Sequence, residues 1–293
     1  MAEEVLDIVP DRPLRASVVI PAHDEERILA DTLTALARQD GIDEVEVIVS
    51  GNGCSDRTVD IARGVDLPQL TAVIDSPIAG KAAALNRADA RCRCAARIYL
   101  DADVILRPGC LRALLDGMNE SEPLLVFGRA EFDTAACSWA ARAFHEVYAA
   151  VHGVWSFSVA GVYGLNAAAR TRFSTFPESL MADDFFVKTH FSPVERRQVD
   201  GFYVLAAPRD VRNLLQVRTR IAIGNGQIQR DDTYVGHNAG PSSRTTARAL
   251  LRLLRRHPRA MPKVVVYTGI VAAARILALF VRQPRWGRDL SNR

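Results

Sequence analysis

Four short runs of β-branched and apolar residues recur in the first part of the chain, at intervals too long for hairpins. They are Ala16-Ser17-Val18-Val19-Ile20 before Pro21, Val45-Glu46-Val47-Ile48-Val49 before Gly51-Asn52-Gly53, Thr71-Ala72-Val73-Ile74, and Arg97-Ile98-Tyr99-Leu100 before Asp101-Ala102-Asp103. Helical spacing fills the intervals: Ile28, Leu29, Leu33 and Leu36 within residues 25–39, a helix opened by Ser55-Asp56-Arg57-Thr58, and residues 81–90. Strands that alternate with helices in this way run mostly parallel and are covered on both faces. Pro21 predicts that the first strand stops there, because proline cannot donate to a ladder. In such sheets ligands sit at the carboxyl ends of the strands. The polar clusters fall there: His23-Asp24-Glu25 after the first strand, Gly51-Asn52-Gly53 after the second, Asp101-Ala102-Asp103 after the fourth.

The 293 residues suffice for one large domain or two. Net charge is only +3, and the basic residues are nearly all arginine, with Lys81, Lys188 and Lys263 the exceptions. With no zinc-finger or RNA-recognition spacing, no nucleic-acid partner is expected. Five cysteines, odd in number and unmatched by a second Cys/His pair, are expected to stay reduced. Met1-Ala2-Glu3-Glu4 is acidic and lacks the basic start of a signal peptide, so the reading places the catalytic body in the cytoplasm.

Asp101 and Asp103 put two like charges at the end of a strand, where each raises the cost of the other. A hard divalent cation, Mg²⁺ or Mn²⁺, relieves that cost and prefers carboxylate oxygens. Each cluster alone also has an ordinary reading. Asp24 can cap a helix, Gly51-Asn52-Gly53 can supply turn dihedrals, and Lys81 can be a solvated helix start. Three of them at one edge make a site.

Val18-Val19-Ile20-Pro21-Ala22-His23-Asp24-Glu25-Glu26, Val47-Ile48-Val49-Ser50-Gly51-Asn52-Gly53-Cys54-Ser55-Asp56-Arg57-Thr58, Gly80-Lys81-Ala82-Ala83-Ala84-Leu85-Asn86 and Tyr99-Leu100-Asp101-Ala102-Asp103 occur in that order. Together they resemble glycosyltransferase family 2, the inverting enzymes of the GT-A fold. The resemblance runs from about residue 17 to 226 and is looser in its second half. It implies a Rossmann-like, mostly parallel sheet flanked by helices that binds a nucleoside diphosphate sugar. Pro21, Ala22 and Glu25 would hold the nucleoside, Asn52 the base, Asp101 the ribose or donor sugar, and Asp103 the metal. Lys81 would lie near the nucleotide. An amide at position 52 suits uracil or thymine, which favours UDP or dTDP.

Further along, Gly161-Val162-Tyr163-Gly164 resembles the family's glycine-bearing segment, where Gly164 would admit the acceptor and donor sugar. An ordinary glycine turn is the alternative. Met181-Ala182-Asp183-Asp184 resembles the family's acid pair. There Asp184 would be the base for the acceptor hydroxyl, with Asp183 in place of the usual Glu; a helix cap is the alternative. Arg218 and Arg220 sit where relatives carry Gln-x-x-Arg-Trp, with Val217 and Ile221 replacing the Gln and Trp. That departure implies addition of a single sugar, and the two arginines would neutralise the diphosphate unless they line a solvated helix face. His237, in a stretch rich in Asp, Gly, Asn and Ser, would close over the metal. Lone His145 and His152 read as packed or surface residues. Residues 124–132 read as a strand near a sheet edge.

The tail pairs a basic amphipathic helix at 245–257 with an apolar run at 264–281 broken by Arg275. At ~1.5 Å per residue that run spans ~27 Å, short of a ~30 Å hydrocarbon core. Peripheral attachment to an anionic leaflet therefore ranks ahead of packing on the protein or a dimer partner, and ahead of a true span. The chain is read as a catalytic domain at 1–230, a mobile loop at 231–243 and a helical extension at 244–293. A membrane-bound tail points to a lipid-linked or cell-envelope acceptor. The rival readings are a sugar-phosphate nucleotidyltransferase, which the acidic cluster after the first strand disfavours, and a non-catalytic nucleotide-sugar-binding scaffold.

Overall fold

A computed structural model describes residues 4–5, 13–152, 160–179, 182–230 and 243–280. Two compact units form, and each contains two stretches of the sequence: Met1–Ala130 with Phe157–Leu205, and Glu131–Ser156 with Ala206–Arg293.

The first unit is built on one nine-stranded sheet. Strands β1 (Glu4–Val5), β2 (Ala16–Ala22), β3 (Val45–Asn52), β4 (Leu70–Ser76), β5 (Arg97–Leu100), β6 (Val104–Leu106), β7 (Leu125–Asp133), β8 (Val162–Leu165) and β9 (Arg196–Ala206) lie in the order β1-β4-β3-β2-β5-β8-β7-β9-β6. The centre is parallel: β2 pairs with β3 through Val18↔Val47 and Ile20↔Val49, and with β5 through Val18↔Ile98. Every residue of β2, β3 and β5 is buried, which is why these strands read as largely apolar runs rather than alternating ones. β8 runs antiparallel to both β5 and β7.

Helices α1 (Leu29–Ala37), α2 (Thr58–Gly64), α3 (Lys81–Asp89) and α4 (Cys110–Gly117) follow the first strands. Leu29, Leu33 and Leu36 of α1 are fully buried with Val18, Ile20 and Leu111 in one core. One polar side chain braces this unit from within. Asn166 accepts hydrogen bonds from Leu124 N and Ala169 N, and donates to Glu120 O and Glu122 O. It thereby caps the short helix α6 (Ala167–Arg170) and ties it to the start of β7.

The structure corrects two strand expectations. β2 continues past Pro21 to Ala22, because its pairing with β5 ends at Val19 and Pro21 meets only β3. β7 is interior, between β8 and β9, rather than near an edge. The helix expected from residue 25 begins at Leu29, since residues 23–26 are drawn into bonds with the loop after β3, described below.

The second unit is helical. It holds α5 (Trp139–His152), α8 (Val211–Arg230), α9 (Ser243–Arg256) and α10 (Met261–Phe280). Val264, Tyr267 and Ile270 on one face of α10 bury against Phe144, Val147 and Leu214, with Leu250, Leu253 and Leu254 of α9 packed alongside. The other face of α10 keeps Val265, Ile276, Leu277, Leu279 and Phe280 exposed.

At the centre of this unit His145 is buried between the rings of Phe132 and Phe144, and neither ring nitrogen has a hydrogen-bond partner. Burial, helped by the charge of Arg218, pushes its pKa down to about 4. The unfolded chain takes up this proton near pH 6.5, so between these two values the unfolded state binds more protons than the folded one. Stability therefore falls as pH drops from 6.5 to 4, by up to ~3 kcal/mol. Denaturant titrations of His145→Leu across that window are expected to show a flatter pH dependence than wild type. The solvated or ordinary packed histidine of the sequence reading is, in the structure, a packed one.

Candidate active site

The carboxyl ends of β2 and β3 are laced together. Asp24, held at φ 48, accepts from the Ser55 amide and hydroxyl. Glu26 N donates to Asp56 Oδ2, and Arg57 N donates back to Glu26 Oε2. Glu25 N donates to the Thr58 hydroxyl, whose own residue amide is bound by Asp56. His23 Nδ1 lies 2.7 Å from Asn52 O. Gly53 closes this turn at φ +63, where a Cβ would lie 2.9 Å from that of Ala79. Pro21 and Ala22 form the floor, both buried in β2.

Asn52 sits at the last position of β3 and is fully buried. Its Nδ2 donates to Ala22 O at 2.7 Å, and its Oδ1 accepts from Gly80 N at 2.9 Å. The family resemblance implies that this amide reads a base. In the structure it clamps the end of β2 to the start of α3.

Gly80 leads directly into Lys81, whose ammonium lies 2.7 Å from Asp101 Oδ1 and 2.9 Å from Asp183 Oδ1. Asp101 follows β5, and Asp183 opens α7 (Asp183–Thr189). Burial works against the charge of Lys81, but Asp101 and Asp183 hold its pKa well above the ordinary lysine range. Burial also pushes the Asp183 carboxyl up to about 6, against the pull of Lys81. The two carboxylate pairs of the sequence thus meet around one cation.

Tyr163 of β8 stands beside them and was not anticipated. Its ring lies 5.0 Å from that of Tyr99, the residue opposite it in the ladder. It is buried with no hydrogen-bond partner for its hydroxyl. Burial first, then the electrostatic influence of Asp183, Tyr99, Asp184 and Asp101, drives its pKa well above the usual tyrosine value. Alternation along a β-strand puts Tyr163 on one face and Gly164 on the other. A Cβ on Gly164 would meet Met118 Sδ at 2.6 Å. The missing side chain at Gly164 therefore makes room for Met118, not for the sugar expected from the sequence.

Asp184 is half-buried and accepts from Phe185 N at 2.7 Å. Behind it, Phe186 packs edge-on against Phe173 and His190, an aromatic wall that keeps α7 in place. Asp103 is exposed two residues beyond Asp101. Among the described residues no three His, Cys, Asp or Glu side chains gather as a complete metal cage. Hard oxygen donors from one or two carboxylates, completed by phosphate oxygens and water, are what Mg²⁺ and Mn²⁺ take in nucleotide sites. Asp101 and Asp103 fit that donor set. Arg218 and Arg220 belong to α8 of the second unit, where Arg218 lies over the rings of Phe144 and Tyr148. His237 falls outside the described residues.

The sheet is mixed, parallel among β2, β3, β4 and β5 and antiparallel where β1 meets β4, β8 meets β5 and β7, and β6 meets β9. With acidic side chains at the ends of its parallel strands it has the architecture of the GT-A fold. Residues 17–150, somewhat less than half of the chain, match the family model for glycosyl transferase family 2. The mannosyltransferase PcManGT from Pyrobaculum calidifontis, solved with GDP-Man and Mn²⁺, superposes with a TM-score of 0.64 at 18% identity, covering 94% of this chain and 91% of that one. S. aureus TarS 1-349 with UDP-GlcNAc gives 0.50 at 17% identity, over 83% and 72% of the two chains. At these identities the likeness is one of fold. No match was found among curated protein sequences.

Proposed function

We propose that this chain is an inverting, metal-dependent glycosyltransferase that adds a single sugar from a nucleoside diphosphate sugar to an acceptor hydroxyl. The observation that carries this reading is the meeting of the pairs Asp101/Asp103 and Asp183/Asp184 at one strand edge, joined through Lys81. A displacement at the anomeric carbon needs a base for the attacking hydroxyl and stabilisation of the departing diphosphate. Asp184 is the base: it is accessible, whereas Asp183 beside it is spent on Lys81. Asp103, with Asp101, holds Mn²⁺ or Mg²⁺, which supplies Lewis acidity to the leaving group. Glu25 and the backbone of Pro21-Ala22 border the nucleoside.

The loss of Gln and Trp around Arg220 supports single-sugar addition. Exposed arginines on α9 and the exposed apolar face of α10 support peripheral attachment to an anionic leaflet, hence a lipid-linked or cell-envelope acceptor. Residues Pro258–Phe280 are also long and apolar enough to cross a membrane, but one face of that helix is already packed.

Calorimetric titration of UDP, dTDP and GDP with and without Mn²⁺ tests the reading. Tighter binding in the presence of the ion is expected. Equal affinity in both conditions removes the metal role of Asp101 and Asp103. A chain that binds nucleotide yet neither transfers nor hydrolyses any donor in a panel is the scaffold instead.

A further inference from the structure

Lys81 is the point where the two carboxylate pairs touch, and its charge is already consumed. Its ammonium sits 2.7 Å from Asp101 and 2.9 Å from Asp183, with only 21% of the side chain and 9% of that of Asp183 exposed. One ammonium between two carboxylates leaves a net negative group, with Asp184 adjacent to it. A diphosphate gains little from such a neighbour, since the cation it would seek is outnumbered by acids. The lysine is also fixed from behind. Asn52 holds Gly80 N and Ala22 O, so the first residue of α3 is placed by the end of β2 and β3. On the other side Asp183 is the first residue of α7, and no side chain caps that helix at Ala182. An unbroken path therefore runs from Ala22 through Asn52, Gly80 and Lys81 to Asp183, and Asp184 is the next residue.

We infer that Lys81 is a positioning residue for the base rather than a donor contact: it ties the start of α7 to the end of β5, and so sets Asp184 against Asp101 and Asp103. The inference rests on the transferase reading above. It explains why the acid pair is asymmetric, one member buried and bonded, the other accessible. It also gives the buried amide of Asn52 a purpose in the site without contact to a base.

The test compares wild type, K81M, D183N and K81M/D183N, measuring turnover of UDP-glucose, UDP-N-acetylglucosamine and GDP-mannose with Mn²⁺, and titrating UDP. K81M is expected to lower kcat by ~10–100-fold, the scale seen when a partner that orients a functional ligand is lost. Donor KM and the Kd for UDP should stay within ~3-fold of wild type. In the double variant one charge of each sign leaves together, and its kcat should lie within ~3-fold of that of D183N alone. K81M leaves two confined carboxylates without a cation; if it does not fold, the comparison of the double variant with D183N decides. A further tenfold loss from D183N to the double variant, or a UDP affinity that weakens in step with kcat, makes Lys81 a phosphate contact and overturns the inference. Absence of turnover by the wild type fails the transferase reading instead. The tie between Lys81 and Asp183 is then read from melting temperatures, where non-additive shifts support it and additive ones end it.

Discussion

Asp184→Asn is expected to reduce sugar transfer by ~10²–10⁴-fold, the usual contribution of a positioned general base. An amide of the same shape keeps the contact with Phe185 N but has no basic lone pair for the acceptor proton. The second position of α7 is half-buried, so the exchange adds no cavity and strips no buried partner. UDP affinity in Mn²⁺ should therefore stay at the wild-type value, and the loss should appear in kcat. The neighbouring carboxylate gives the control. Asp183 is buried against Lys81, and burial raises its carboxyl pKa against the pull of that lysine. Near-normal turnover by the Asp184 variant would move the base to another group.

Asp103→Ala is expected to abolish the dependence of nucleotide binding on Mn²⁺. A hard cation held by Asp103 would supply several kcal/mol of charge stabilisation, so the loss in metal-dependent affinity should reach ~10²-fold or more. Asp103 is exposed, and its removal should leave the melting temperature in the absence of nucleotide near that of wild type. Calorimetry with UDP at fixed Mn²⁺, repeated with EDTA, reads the effect directly. If the variant still gains affinity from the ion, the metal is held elsewhere.

The central strands were legible because a parallel strand covered on both faces is largely apolar, as β2, β3 and β5 are apart from Ser17, Glu46, Ser50, Asn52 and Arg97. β9 was not. Its sequence mixes arginine, aspartate and aromatics, and its burial alternates irregularly, so no period marks it. Missing β9 is what misplaced β7 at an edge. The five cysteines, expected to be reduced, are free thiols. One face of α10 packs within the second unit while the other stays exposed, and an apolar run alone carries no record of which side finds a partner.

Within the site, the sequence alone determined which chemical groups gather at the strand ends. Each lies next to an apolar run whose burial is forced by the hydrophobic effect, so its position along the sheet follows from local order. Tertiary structure decided what each group is bonded to. Asn52 reaches Ala22 and Gly80, Gly164 makes room for Met118, and Lys81 divides itself between Asp101 and Asp183. Those partners lie far apart along the chain. Hydrogen bonds and ion pairs need contact within about 3 Å, and only the packed sheet and helices bring such groups that close.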